Sequence, residues 1–434
     1  MDSAIGGTPL PRPEANRYLK PVTAALFAGG LLVAAHGLFA PAAPTAGPVR
    51  PATARSVILI NGDGMGPAHR EAARLFLAGF DGQLGMDRLA VSGQLTTSPR
   101  DPATVVSDSA AGASAWATGQ RTYNGAISVD VDGRPLSTLG AEAKASGRAT
   151  GLVTTAQVTD ATPAAFFANA RDRSAQSALA RQYLDVTRPD VILGGGEDWW
   201  LPAGDPGDHP DHPPSDPTEA SAGTEGDLIR RAVDAGYQYV STPAGLSQAH
   251  GRKLLGLFAN EEMFEARPEG EGDRYEPAVS LATMTRKALD VVGRDPDGFF
   301  LVVEEEGVDE FAHRNNGTRM LQSMAALEQA VAVARAYVAE HPDTLLIVTG
   351  DHETGGLAVE DPWDDDESGD GMSAEDGPFP IKGSDLVFAV DWTTSHHTGA
   401  DIPVTAEGPG AGRFTGKHPN THVYDVVSGI FRHR

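Results

Sequence analysis

The chain has 434 residues, 34 basic against 59 acidic side chains, a formal net charge of −25 and no cysteine. An apolar share of 40% is ample for a packed core and excludes wholesale disorder. The absence of cysteine excludes a disulfide framework, a thiolate nucleophile, an iron–sulfur cluster and Cys-bound zinc, and the acidity excludes general nucleic-acid binding, which needs a basic footprint.

In chain order, Arg12, Arg17 and Lys20 precede an apolar run from Val22 to Ala40, and Ala40-Pro41-Ala42 follows. Basic flank, apolar core and small-residue exit predict a signal peptide over residues 1–42. Left uncleaved, the same segment would serve as a membrane anchor. Either route predicts export to the periplasm or the exterior. Residues 43–55 read as a linker.

Val57-Ile58-Leu59-Ile60 reads as a buried strand ended by Asn61-Gly62. Thr150–Thr154, Val191–Leu193, Phe299–Val303 and Leu345–Val348 read alike. Between them lie helical stretches, the clearest from Leu321 to Glu340. There Leu321, Met324, Leu327, Val331, Ala334 and Val338 form one apolar stripe. This alternation predicts the α/β class, with a large, mainly parallel central sheet flanked by helices on both faces. Length alone sets a prior of about three domains at ~150 residues each.

Two base-free stretches interrupt the pattern. Glu197–Asp227 carries nine acids and six prolines, and Asp361–Asp376 carries eight acids. Both are expected to be exposed insertions. His209 and His212 could bind metal, and Asp364–Glu367 with Asp370 could bind calcium, although no recognised calcium-loop spacing is present.

The chemistry concentrates elsewhere. Asp108-Ser109-Ala110-Ala111-Gly112 predicts a helix beginning at or near Ser109. A helix N-terminus offers free N–H groups that suit a phosphate, and a serine there either attacks it or merely caps the helix. Asp63 follows the first strand between glycines, Glu304 closes Phe299–Val303, and Asp351-His352 closes Leu345–Val348. Asp309 and His313 stand at i and i+4, and His397 lies in Ser395-His396-His397-Thr398-Gly399. In a parallel sheet such strand ends meet in one crevice. Carboxylates and imidazoles converging there suit zinc and magnesium.

These motifs resemble the alkaline phosphatase family. The resemblance rests on Gly62-Asp63-Gly64-Met65-Gly66, Asp108-Ser109-Ala110-Ala111 with Thr118-Gly119, and Thr122-Tyr123-Asn124-Gly125. Asp160-Ala161-Thr162-Pro163, Leu255–Ala259, Phe299–Glu304, Asp351-His352-Glu353-Thr354-Gly355-Gly356 and His397-Thr398-Gly399 complete it. They cover the chain from about Ser56 to Val427 in the family's order, which replaces the three-domain prior with one catalytic domain over 56–434.

The resemblance implies two zinc ions and one magnesium ion. Asp309, His313 and His397 match the ligands of the first zinc. Asp351, His352 and Asp63 match the second, with Ser109 joining when deprotonated. Asp63, Thr162 and Glu304 match magnesium, and Asp160 matches a residue holding its water shell. Arg173 falls at the spacing of a phosphate-clamping arginine, with Arg171 as its competitor. The implied reaction is hydrolysis of phosphate monoesters through a phosphoserine on Ser109, in a homodimer. A phosphodiesterase, a sulfatase or a non-enzymatic metal-binding protein on the same scaffold are the competing readings.

Three acids depart from the family pattern. Glu305 and Glu306 follow the magnesium ligand and are expected to face solvent; turned inward, they would alter that site. Glu310 follows Asp309 at a slot beside the phosphate. A carboxylate there repels phosphate unless it turns away or binds a water or cation. Glu310 is therefore expected to weaken the hold on product phosphate. His69 and Trp116 are read as structural, and Thr118, Tyr123 and Asn124 as shaping the pocket or its rim.

Overall fold

The computed structural model describes residues 53–209, 220–362 and 374–432. The predicted signal or anchor segment, most of the linker, His212, and Asp364–Glu367 with Asp370 lie outside them. The strands run in chain order as β1 (Ser56–Gly62), β2 (Val91–Thr96), β3 (Ala149–Gln157), β4 (Val191–Gly195), β5 (Gln238–Val240), β6 (Leu254–Leu257), β7 (Phe299–Glu305) and β8 (Thr344–Thr349). There follow β9 (Glu353–Thr354), β10 (Leu357–Glu360), β11 (Ala374–Pro380), β12 (Val387–Trp392), β13 (His397–Thr398), β14 (Ile402–Glu407) and β15 (Gly416–Pro419).

Ten of these form one sheet in the order β15-β2-β14-β8-β1-β7-β3-β4-β6-β5. All pairings are parallel except those of β14 with β2 and with β8. The predicted mainly parallel sheet is therefore present. β1, β7 and β8 are buried along their whole length. That is why they read as unbroken apolar runs instead of alternating ones.

Side chains alternate across the sheet. Val57, Leu59, Phe300, Val302, Leu345 and Ile347 enter one core. Ile58, Ile60, Leu301, Val303, Leu346 and Val348 enter the other. The first face is covered by helices Ser109–Thr118, Ala161–Phe167 and His422–Arg432. The second is covered by helices Pro67–Ala78, Leu281–Val292 and Gly317–Glu340. The stripe from Leu321 to Val338 is buried there as its spacing predicts. At 0% exposure, Leu327→Ala would cost about 2–5 kcal/mol.

One sheet drawn from Ser56 to Pro419 removes the three-domain prior. The described residues all fall in one compact unit. No helix among the described residues is long and apolar enough to cross a membrane.

The first acidic stretch is not wholly exposed. Glu197 and Asp198 are buried. Glu197 accepts hydrogen bonds from the N–H groups of Asp208 and His209 at 2.8 and 2.9 Å and from Tyr239 Oη at 2.8 Å. Those donors are what make a buried carboxylate tolerable. The ring of His209 meets the carbonyl of Leu257 at 2.9 Å. In the second stretch, Asp376 accepts from the N–H of Gly317, tying β11 to the start of a core helix.

Candidate active site

The register of the central strands brings the acids together. Asn61 on β1 lies opposite Glu304 on β7 and Thr349 on β8. Asp63, Glu304 and Asp351 therefore leave three adjacent strands at the same carboxyl edge. The turn after β1 depends on Gly64, whose φ is +67°. A Cβ there would lie 2.6 Å from Asp309 Oδ1 and 2.7 Å from Thr354 Oγ1.

Helix Ser109–Thr118 delivers the serine. Its cap is Asp108, whose Oδ1 accepts from the N–H of Ala111 at 2.9 Å. Ser109 is thus the first helical residue, and the capping alternative for its hydroxyl falls away. Its Oγ lies 3.1 Å from His352 Nε2. The run of small residues lets the helix approach Asp351 closely. A Cβ on Gly112 would lie 3.2 Å from Asp351 Cβ.

The three histidines present the same nitrogen inward. His313 Nδ1 lies 2.7 Å from the carbonyl of Ser395, and His397 Nδ1 lies 3.0 Å from that of Ser107. A carbonyl only accepts, so each Nδ1 carries the proton. Thr354 donates to Asp309 Oδ1, so it accepts from His352 Nδ1 at 3.2 Å. In the neutral rings every Nε2 is then a lone pair, and a protonated His313 donates from Nε2 to Asp309. The Nε2 atoms of His313 and His397 face each other at 3.0 Å. That of His352 faces Asp63 Oδ1 at 3.4 Å and Asp351 Oδ2 at 3.2 Å. His313 Nε2 lies 3.2 Å, and His397 Nε2 3.6 Å, from the carboxylate of Asp309. Lone pairs and carboxylates gathered this way repel one another unless cations lie between them.

Orphaned atoms point the same way. Asp63 Oδ1, Asp351 Oδ2 and Glu306 Oε2 are buried without a hydrogen-bond partner. Burial, then the charges of Asp351 and Glu306, hold the Asp63 carboxyl well above its ordinary range. Burial, then Asp309 and Glu304, push Asp351 up to about 8. Burial pushes Glu304 up to about 7, although Thr154 Oγ1 donates to it at 2.7 Å. Asp309 goes the other way. Burial would raise it, but the hydrogen bond from His313 and the charges of His352 and His397 hold it low. Burial and neighbouring imidazoles lower His352 and His397. Four sets of ligand atoms lie within 4.8 Å of one another among the described residues: Asp309, His352 and His397; Asp63, Asp351 and His352; Asp63, Glu304 and Glu306; and Glu306, Asp309 and Glu310. The donor chemistry fits divalent metals.

Arg173 and Arg171 part ways. Arg173 Nη2 donates to both oxygens of Asp160 at 2.9 Å, and its Nη1 lies 3.8 Å from Asp108 Oδ2. The charge of Asp160 raises its already high pKa. Arg171 Nε turns instead to the carbonyl of Gly133. Asp160 thus gives its carboxylate to Arg173. Thr162 Oγ1 reaches Asp63 Oδ2 at 3.4 Å. The Asn124 side chain accepts from the N–H of Asp108 at 3.2 Å, and Tyr123 Oη donates to the carbonyl of Arg171. Thr118 Oγ1 instead bonds back to Ser114 within its helix. His69 and Trp116 are buried.

The expectation that Glu305 and Glu306 face solvent is wrong. Both are buried. They extend a fully enclosed strand, and Thr155 and Tyr275 donate to Glu305 at 3.0 and 2.7 Å. Glu310 does not turn away from the site. One of its oxygens lies within 4.8 Å of oxygens of Glu306 and Asp309. Sequence reasoning set Glu306 aside as solvent-facing and missed Thr354. Thr354 sat in a quoted motif, and its hydroxyl proves to orient both Asp309 and His352. Pairing of β13 with β9 sets His397 beside Thr354.

A family model described as alkaline phosphatase matches residues 54–373. The streptomycin-6-phosphate phosphatase of Streptomyces griseus is 37% identical, over 90% of this chain and 93% of its own. The alkaline phosphatase of Escherichia coli K12 is 31% identical, over 86% and 84%. The cold-active enzyme of a psychrophilic Shewanella is 31% identical, over 87% of this chain and 99% of its own, with a TM-score of 0.70. A mutant of the TAB5 enzyme with magnesium in its M3 site is 25% identical, over 88% and 98%, with a TM-score of 0.70.

Proposed function

The chain belongs to the alkaline phosphatase family of phosphomonoesterases, and we propose that it works through a phosphoserine on Ser109 with two zinc ions and one magnesium ion. The observation that carries this reading is Ser109 Oγ, 3.1 Å from His352 Nε2, at the head of a helix that opens onto the orphaned carboxylates. Asp309, His313 and His397 would hold one zinc, and Asp63, Asp351 and His352 the other. Asp63, Thr162 and Glu304 would hold magnesium, the metal the TAB5 mutant carries. When bound, such metals lower the pKa of a hydroxyl or water and stabilise a departing alkoxide.

The chain's own residues do the rest. Ser109 Oγ forms the bond to phosphorus as the bond to the alcohol oxygen breaks. Water then displaces Ser109 and releases phosphate. Asp160 holds Arg173 by Nη2, which leaves Nη1 for a phosphate oxygen. Asp108 fixes the helix end, and the buried surroundings limit water at Ser109, which is 3% exposed.

Beside Glu310 opens a cavity of about 480 Å³ whose walls include Glu261, Glu262, Glu265 and Glu271 against Arg267 and Arg314, so acids outnumber bases. It suits the alcohol part of a small-molecule ester, favouring one with positive charge. The substrate named for the Streptomyces griseus relative supports that class. Export rests on residues 1–42, and a homodimer on the family resemblance.

The test is to quench turnover in acid and map the phosphorylated residue by mass spectrometry. Phosphoserine at Ser109 is expected. Turnover of p-nitrophenyl phosphate that proceeds without any phosphorylated serine would refute the mechanism. Equal turnover of bis-p-nitrophenyl phosphate would favour a diesterase.

A further inference from the structure

The reading above names neither Glu306 nor Glu310 as a ligand, yet Glu306 groups both with Asp63 and Glu304 and with Asp309 and Glu310. We infer that Glu306, Asp309 and Glu310 form an additional site for a hard divalent cation, magnesium or calcium, beside the three metals of the proposed function, on which this inference rests. An oxygen from each of the three lies within 4.8 Å of the others. Glu306 is 4% exposed, and its Oε2 is buried without any hydrogen-bond partner. Such an atom is costly unless a proton or a cation meets it, and the oxygens of Asp309 and Glu310 beside it supply the geometry for a cation. The donors are all oxygen, which selects a hard cation over zinc. Glu310 also lines the 480 Å³ cavity, so water can complete the coordination from that side.

Charge balance adds an independent reason. Asp63, Glu304, Glu306, Asp309, Glu310 and Asp351 all belong to the converging groups. The three metals carry six positive charges, and these six carboxylates cancel them. Arg173 is left to meet a doubly charged phosphate, and Asp160 already pairs with it. Arg314 lies within electrostatic reach of Glu310, but its Nε donates to the carbonyl of Ala266 on the exposed side. A further divalent cation between Glu306 and Glu310 restores the positive charge that an anionic substrate needs.

The experiment counts metals. The full chain is equilibrated with zinc, magnesium and calcium, desalted, and analysed by inductively coupled plasma mass spectrometry. Wild type is expected to retain about two equivalents of zinc and about two of magnesium plus calcium. Glu310→Gln should lose about one hard-cation equivalent and keep its zinc. Should that variant not fold, calorimetric titration of the metal-stripped wild type with calcium counts the same equivalents. A single hard cation in wild type, or an unchanged count in Glu310→Gln, overturns the inference and leaves the family mechanism standing. Two hard cations without zinc support the inference and overturn the zinc assignment instead.

Discussion

The imidazole half of the site and its carboxylate half are built by opposite means. His313 and His397 are partly exposed and lie just outside or on short elements, each pinned by Nδ1 to a backbone carbonyl. They are ligands held by hydrogen bonds, and once bound to metal they would bring no charge of their own. Asp63, Glu304 and Asp351 leave three fully buried parallel strands, and the sheet itself holds them. What meets them among the described residues is the His352 ring and neutral donors such as Thr154 and the N–H of Gly64. The lesson is that this fold places its fixed charge where the backbone is least able to yield. Metals would then act on the carboxylate half as folding partners as much as catalysts.

Ser109 stands where the halves meet, and its loss should have the largest effect. Ser109→Ala should lower kcat/KM for a phosphate monoester by at least about 10⁴-fold, because the attacking atom is gone. Metal content should stay unchanged, since both halves remain. A variant keeping a tenth of wild-type turnover would sink the nucleophile assignment.

Stripping the metals should separate the halves by pH. An acid whose pKa is higher in the folded state costs nothing below its unfolded value, and destabilises as pH rises towards the folded one. Asp351, at about 8, and Glu304, at about 7, both behave so. His313, raised to about 9 by Asp309, also loses its contribution above its ordinary 6.5. His352 and His397 are lowered, and their opposing effect is complete near 6.5. The melting temperature of the chelated protein should therefore fall between about pH 6.5 and 8, by roughly 5–10 °C. With metals restored it should not. Parallel profiles would show that the carboxylates are not the groups the metals neutralise.

Between the halves and the phosphate lies Arg173. Arg173→Lys keeps the charge but loses the planar fork that lets Asp160 hold one nitrogen while another meets substrate. The expected loss in kcat/KM is about 10- to 100-fold, with weaker inhibition by phosphate. Arg171→Lys should change neither, because its Nε faces Gly133.

The sheet and the strand-end acids were legible because both follow from local pattern. Val57–Ile60 and Leu345–Val348 are apolar without interruption, and a carboxylate at the end of such a strand has one place to go. His397 was legible only through its motif, since the short pairing of β13 with β9 leaves no periodicity to read. Glu305 and Glu306 were misread for a related reason. A charged residue after a buried strand suggests solvent, and the donors that permit burial of Glu305, Thr155 and Tyr275, are distant in sequence. The cap failed differently. Asp108 and Ser109 are both good N-caps, and only the bond from Ala111 decides between them.

The smallest effect sharpens the comparison at Glu310, where the carboxylate half reaches the cavity. Its half-buried carboxylate faces Asp309 and lies within electrostatic reach of Asp160, the partner of Arg173. Alone it would repel phosphate, whereas with a cation bound it would attract it. Inhibition of wild type by phosphate should therefore tighten as calcium or magnesium is raised, by about three- to tenfold beyond saturation of the first hard-cation site. Glu310→Gln should lose that dependence. Glu310→Lys, which supplies positive charge itself, should bind phosphate at least as tightly as loaded wild type and independently of added cation. Inhibition constants measured across a calcium series decide the matter. The same cation dependence in all three proteins would remove Glu310 from any role at the phosphate site.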